Sequence, residues 1–449
     1  MHSKTIDVLH GSMWKKILFF ALPIAATNLL EQLFNSADTA IVGHFAGSNA
    51  LAAVGANSPI ITLVVNTFMG LSIGANIVMS NAVGKGDDDA ASKGLHTSIM
   101  TAMISGLLML ALVEVFAPWI LKLTSVPEGI MDIAILYLRI YAIAMPFIML
   151  YYFESAIFRS IGDSKTPLLV LLCAGILNVC LNLLFVVGFG LSVTGVAAAT
   201  VISNVCSAAV LFILLLKRTD ACRLEIKKIR INGPTLKKMI RYGVPAGIQG
   251  AVFAVSNLVV QSAINSLSTT TIAAATASMY FDTYTYQIAN AFGHAATTFV
   301  GQNYGAGQYG RCRNATRICL FWGILIPLCL EIILFIFAPY CLRLFSSDPE
   351  VIALATTRMR IIILFVWMNT VDEVLINSMR VYGYTIVPVV LLIICVCGVR
   401  IGAVFTVFRL YPSLEVISCI YPLSWIIANI AIIIAYSIVR KKMNLTGAA

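Results

Sequence analysis

The sequence predicts an all-α integral membrane protein: twelve transmembrane helices in two parallel six-helix repeats, an N-lobe and a C-lobe, around a central cleft. Three observations carry that expectation. Of 449 residues, 59% are hydrophobic and only 11% charged, where a soluble protein holds about 25% charged residues. Apolar runs of the ~20 residues that span a bilayer recur along the whole chain. The second half also repeats the punctuation of the first.

The runs fall in order at 14–40, 50–80, 95–120, 130–153, 165–187, 193–216, 236–262, 270–300, 313–338, 352–378, 384–407 and 416–439. Lys15 and Lys16 lead into a first run too long, and too polar on one face, for a cleavable signal. The longest polar stretch, about 217–238, is a basic linker and too short to be a domain. The expected organisation is 1–216 (N-lobe), 217–235 (cytoplasmic linker) and 236–449 (C-lobe). The net charge of +10 does not point to nucleic acid, because the basic residues sort by side. Nearly all outside the spans, including Lys4, Lys85, Lys93, Lys165 and the linker cations, fall on the face that also holds both termini. Only Lys122, Arg343 and Arg409 fall opposite. By the positive-inside rule the crowded face is cytoplasmic, as expected of a multi-pass protein of the bacterial cytoplasmic membrane. The eleven cysteines make no CxxC pair and read as small buried thiols, with no metal centre.

Shifted by about 222 residues, the chain meets itself. Pro23 aligns with Pro245, Asn35 with Asn257, Asn81 with Asn303, and SNALAAVGA (48–56) with TTTIAAATA (270–278). After a one-residue gap RSIGDSKTP (159–167) meets RVYGYTIVP (380–388), and Arg139 meets Arg360. Six spans per half is an even number, so the repeats are parallel, a plan that suits a transporter with alternating access. The prolines inside spans free backbone carbonyls and permit kinks.

In the first run, NLLEQLFNSADTAIVGHF, the residues Asn28, Glu31, Asn35 and Asp38 share one helical face. An ionised group facing lipid costs several kcal/mol, so an intramembrane Asp is a functional-site hypothesis by default. Asp38 aligns with Val260, so the first half alone has this carboxylate.

The order FNSADTAIVGHFAGSNALAAVGA, RSIGDSKTP, NVCLNLLFVVGFGLSVTGVAAATVIS, FVGQNYGAGQYGR, PSLEVISCIYPLSW resembles the multidrug and toxic compound extrusion (MATE) family, in particular its prokaryotic DinF-like branch. The resemblance implies a non-enzymatic antiporter that expels amphipathic, often cationic compounds in exchange for H⁺ or Na⁺. It also implies a cation site in which Asp38 matches the helix-1 Asp, Asn178 the helix-5 Asn and Thr200 the helix-6 Thr. The helix-5 Asp of the family falls on Asn182, a departure that leaves one carboxylate; Asn35 stands one turn from it. A site with a single carboxylate favours protons, although the oxygens of Asp38, Asn178, Asn182 and Thr200 leave Na⁺ open. The alternative within the superfamily, a flippase for a lipid-linked saccharide, calls for a basic cavity. No phosphate-binding loop accompanies the spans, so ATP is not expected to drive transport.

A cavity for such compounds wants aromatic and Met surface with a few polar or acidic groups. The candidates are Glu31 and Gln32, Met149 and Phe153, Gln249, Phe253 and Asn257, and Asp282, Tyr286 and Asn290. Asp372 and Glu373 are expected to form a charge network with Arg400, and Arg139 to pair with an outer acid such as Glu128. No cofactor is expected, and the chain is read as a monomer in the bilayer.

Overall fold

The computed structural model describes residues 5–124 and 126–446. Lys4, counted above among the cytoplasmic cations, lies outside the described residues. Among the described residues there are twelve helical spans. These are Trp14–Ala46 (α1), Ser48–Lys85 (α2), Asp88–Leu123 (α3), Glu128–Ala142 with Met145–Ser160 (α4), Lys165–Gly188 (α5) and Val193–Leu216 (α6). The second six are Gly233–Asn265 (α7), Thr269–Gly305 (α8), Tyr309–Leu342 (α9), Pro349–Val381 (α10), Ile386–Phe408 (α11) and Leu414–Thr446 (α12).

Local chemistry sets the ends and breaks. The Asp87 carboxylate accepts from Ala90 N at 2.9 Å and caps α3, with Asp88 and Asp89 in the first turn, where the helix dipole favours anions. At α10, Asp348 caps and Pro349 takes the first turn, where its missing N–H costs nothing. Gly162 and Gly383 have φ of +87° and +91°. They are the glycines of RSIGDSKTP and RVYGYTIVP, so the repeat in sequence is a repeat in backbone conformation. The expected single run 130–153 is instead two helices bent by 43°, because Pro146 opens the second and cannot donate back into the first. Span α8 alone is too polar to pass as a bilayer-crossing helix by composition, since it carries Asp282, Gln287, Asn290, His294, Gln302 and Asn303. Such a span needs other helices around it.

The chain divides into two compact units, and their boundaries are not those of the repeat. One is Met1–Leu9 with Ala26–Ile248; the other is His10–Ala25 with Gln249–Ala449. Spans α1 and α7 therefore each change unit partway, within three residues of Pro23 and Pro245. In the second unit Trp14 meets Phe321 edge-on at 5.1 Å and Phe20 meets Phe299 at 5.4 Å. In the first unit α2 and α7 cross through glycines: a Cβ on Gly70 would stand 2.2 Å from Gly247 N, and one on Gly74 2.3 Å from Met239 O. Both sequences, GLSIG and GVPAG, have the small-xxx-small spacing that lets membrane helices touch backbone to backbone.

The linker is held on α3. Glu225 N donates to His96 Nε2 at 3.0 Å, Asn232 N donates to Thr97 Oγ1 at 3.1 Å, and Leu224 is buried with Cys222. Not every cysteine is an internal thiol as expected, since Cys173, Cys180, Cys329 and Cys419 lie on the outer surface of their helices. Cys222 is internal, and burial pushes its thiol up to about 12. A thiol that ionises so late is a poor nucleophile at neutral pH. Maleimide should therefore leave Cys222 unlabelled in the native protein at neutral pH and label it after denaturation. Fast native labelling would mean that the linker lifts off α3.

Candidate functional site

In the first unit the constellation around Asp38 assembles from four helices. Asp38 stands near the end of α1, before the helix widens into a π turn at Val42–Ala46. Asn178 and Asn182 sit one turn apart on α5, which widens likewise at Leu183–Gly188. Insertions of this kind often re-aim side chains at functional sites. Asn182 Nδ2 donates to Asp38 Oδ1 at 2.5 Å and to Asn178 Oδ1 at 3.1 Å, and Asn178 Nδ2 donates to Ser203 Oγ at 3.3 Å on α6. Thr200 faces the same carboxylate, and Tyr137 and Tyr141 of α4 feel its charge. Asn178, Asn182, Thr200 and Ser203 are buried and Asp38 is partly so. Asp38 makes no ion pair among the described residues, and Asn182 Oδ1 is a buried acceptor without a donor. Asn35 does not join: its side chain is exposed, and its carbonyl accepts from Thr39 at 3.0 Å.

Two turns before Asp38, Glu31 meets the Tyr152 hydroxyl and the charge of Arg159. The repeat partner of Arg159 is Arg380, and in the second unit it too faces an acid, Glu373, which lies two turns earlier on the same helix, α10. There Tyr286 donates to Glu373 Oε1 at 2.9 Å, and Asn290 lies against both. Asn377 Nδ2 donates to Glu373 Oε2 at 3.4 Å, and Arg380 donates to Asn377 Oδ1 at 3.0 Å and to Gln249 Oε1 at 2.6 Å.

The expected network of Asp372, Glu373 and Arg400 is therefore not the one that forms. Arg400 stacks 4.4 Å from the Tyr421 ring and 5.6 Å from that of Trp425. It donates to Ser424 Oγ at 3.1 Å and to Asn257 Oδ1 at 3.3 Å. Aromatic faces and neutral oxygens stabilise it in place of a carboxylate. Asp372 accepts from Asn429 at 3.1 Å. Arg139 pairs with Glu114 at 3.5 Å, not Glu128, because α3 lies beside that face of α4.

Of the candidate cavity residues, Tyr286 and Asn290 meet at Glu373 and Gln249 accepts from Arg380, whereas Asn257 goes to Arg400. Asp282 is held by Arg358 at 2.8 Å. Phe253 packs into the core of the second unit, and Met149 and Phe153 are fully buried in cores of the first. Gln32 is partly buried on the face of Glu31. Sequence reasoning missed Arg358, Arg380 and Glu331 as site residues. The signal was present, since Arg358 and Glu331 are charges inside apolar runs and Arg380 aligns with Arg159 just beyond one, but the sequence does not name the partner. Glu154 is fully buried, and neither of its oxygens has a partner among the described residues.

Twelve spans, a twofold repeat and an unpaired carboxylate among polar side chains at membrane depth define a multi-pass secondary transporter, not an enzyme. The MatE family model matches residues 23–184 and 245–406, one copy in each half, and the chain belongs to that family, multidrug and toxic compound extrusion. Relatives include the probable multidrug resistance protein YoeA of Bacillus subtilis, 26% identical, with 97% of this chain and 96% of that protein covered. The probable multidrug resistance protein NorM of Thermotoga maritima is also 26% identical, over 88% and 86%. A solved outward-facing multidrug resistance MATE transporter of the MOP superfamily superposes with a TM-score of 0.90, at 19% identity over 99% and 100% of the two chains.

Proposed function

We propose that the chain exports amphipathic, cationic compounds and that the export is driven by re-entry of protons at Asp38. The observation that carries this reading is the Asp38–Asn182 contact. It is an intramembrane carboxylate held by a neutral amide, with no arginine or lysine to hold its charge permanently. Such a group is free to exchange a cation. Protons suit it better than sodium, because the Asn182 amide already donates to both Asp38 Oδ1 and Asn178 Oδ1. A donor aimed at an oxygen opposes a metal cation there, which leaves few of the hard oxygens that sodium wants. The relatives named as multidrug resistance proteins support the substrate class. The basic loops support cytoplasmic termini in a bacterial cytoplasmic membrane, and a monomer suffices, since one chain carries both repeats.

Reconstituted vesicles loaded with a fluorescent organic cation test the reading. A pH gradient alone should drive dye transport, and a sodium gradient at clamped pH should drive little. Equal transport on sodium alone would remove the proton assignment, and transport under neither gradient would remove the exporter reading.

A further inference from the structure

We propose that the first turns of α7, with the linker that leads into them, bind the headgroup of an anionic phospholipid. Residues 217–241 carry nine cations and two acids. Each acid is already taken: Asp220 pairs with Arg218, and Glu225 with Lys228 at 2.7 Å. Arg223, Lys227, Arg230, Lys237, Lys238 and Arg241 are exposed and make no ion pair among the described residues. A cluster of this size at the end of a span attracts anionic lipid.

Their place on the fold decides what they meet. Lys237, Arg241, Val244 and Ile248 recur along α7 at three- and four-residue steps, with Ile240 among them, so they share one face. All five are exposed. Farther along the helix this face is the apolar one that a span turns to lipid, so Lys237 and Arg241 stand where it reaches the headgroups. Before α7, His96 and Thr97 pin the linker to α3, and Cys222 and Leu224 are buried there. Ile226 and Ile231, outside both spans, are nevertheless 65% and 41% exposed. Isoleucines set among free cations suit a headgroup layer, where apolar side chains enter and cations meet phosphate. Free phosphate in water would offer the isoleucines nothing.

The inference stands whether or not Asp38 couples transport, and its test reads no transport. Native mass spectrometry of the full-length protein, released from nanodiscs of equal parts phosphatidylglycerol and phosphatidylcholine, counts the lipids that stay bound. Phosphatidylglycerol should be in excess. Each Lys or Arg at an anionic surface contributes roughly fivefold to binding, so Lys237→Gln with Arg241→Gln should lower that excess about tenfold or more. Lys85→Gln with Lys441→Gln removes the same charge from other exposed cations and should leave it unchanged. Equal retention of both lipids by the wild type overturns the proposal, as does an excess that falls no further in the first pair of substitutions than in the second. Loss of the excess on adding inorganic phosphate also overturns it, because the cations would then hold a free anion and not a lipid.

Discussion

Asp38→Asn is expected to abolish gradient-driven efflux while leaving dye binding within a few fold of wild type. The substitution keeps the size and polarity of the side chain and removes only its ability to exchange a cation. The energy at stake sets the expected loss. One charge moved through about 100 mV is worth roughly 2.3 kcal/mol, and a tenfold concentration ratio costs about 1.4 kcal/mol. A single coupling ion thus sustains one to two decades of gradient, and without it the internal and external dye concentrations should equalise. Flux measurements in vesicles check the ratio, and equilibrium dye binding in detergent checks that the protein is intact. Full accumulation by Asp38→Asn under either gradient would end the assignment. The companion variant Asn182→Asp puts a second carboxylate beside Asp38 Oδ1, 2.5 Å from the present amide nitrogen. It should raise the sodium response relative to the proton response, because it replaces a donor that repels a metal cation with an oxygen that binds one.

Gly247→Val should cost about 3 kcal/mol or more, read as a large fall in thermal midpoint or loss of monodisperse protein. A Cβ there would stand 2.0 Å from Thr67 O, and on the facing helix a Cβ on Gly70 would stand 2.2 Å from Gly247 N. Both obstacles are backbone, so no side chain can swing aside. The α2–α7 crossing would have to open, and overpacking of this kind costs 1–3 kcal/mol, sometimes more. Membrane helices have little hydrophobic drive to re-close, because lipid is as apolar as the interface. Gly55→Ala is the control: it lies within α2, the helix that faces Gly247, but nothing stands within 4 Å of its new methyl. It should leave stability unchanged or raise it slightly by removing freedom from the unfolded chain. If Gly247→Val were as stable as Gly55→Ala, the close crossing would not be a determinant of the first unit.

Some features were legible without coordinates because they depend on short-range pattern. The span positions follow from runs of apolar residues, and the repeat follows from matched glycines, prolines and arginines, with Gly162 and Gly383 adopting the same left-handed turn. The alignment of Asn178 with Asn182 follows from four-residue spacing on a helix. Arg400 and Glu373 show where such reasoning stops. Each was visible as a charge needing a partner, but the partner depends on how far a helix is rotated about its axis. Rotation aims Arg400 at Tyr421 and Ser424, and Glu373 at Tyr286. Asn35 fails for a related reason, since a shared face on an ideal helix does not say how much of that face neighbouring helices cover.

By itself, then, the amino-acid order determined that the chain lives in a bilayer, crosses it twelve times, is built twice over and carries in α1 two acidic groups, Glu31 and Asp38, that the matching positions of its second half lack. These are properties of hydropathy and spacing, which local physics fixes. Tertiary structure decided which groups meet: Asp38 with Asn182, Asp282 with Arg358, and Arg400 with rings instead of acids. It also decided that α1 and α7 each pass from one unit to the other near Pro23 and Pro245. Such choices depend on side chains far apart in sequence and on the few ångströms by which packed helices can slide or turn.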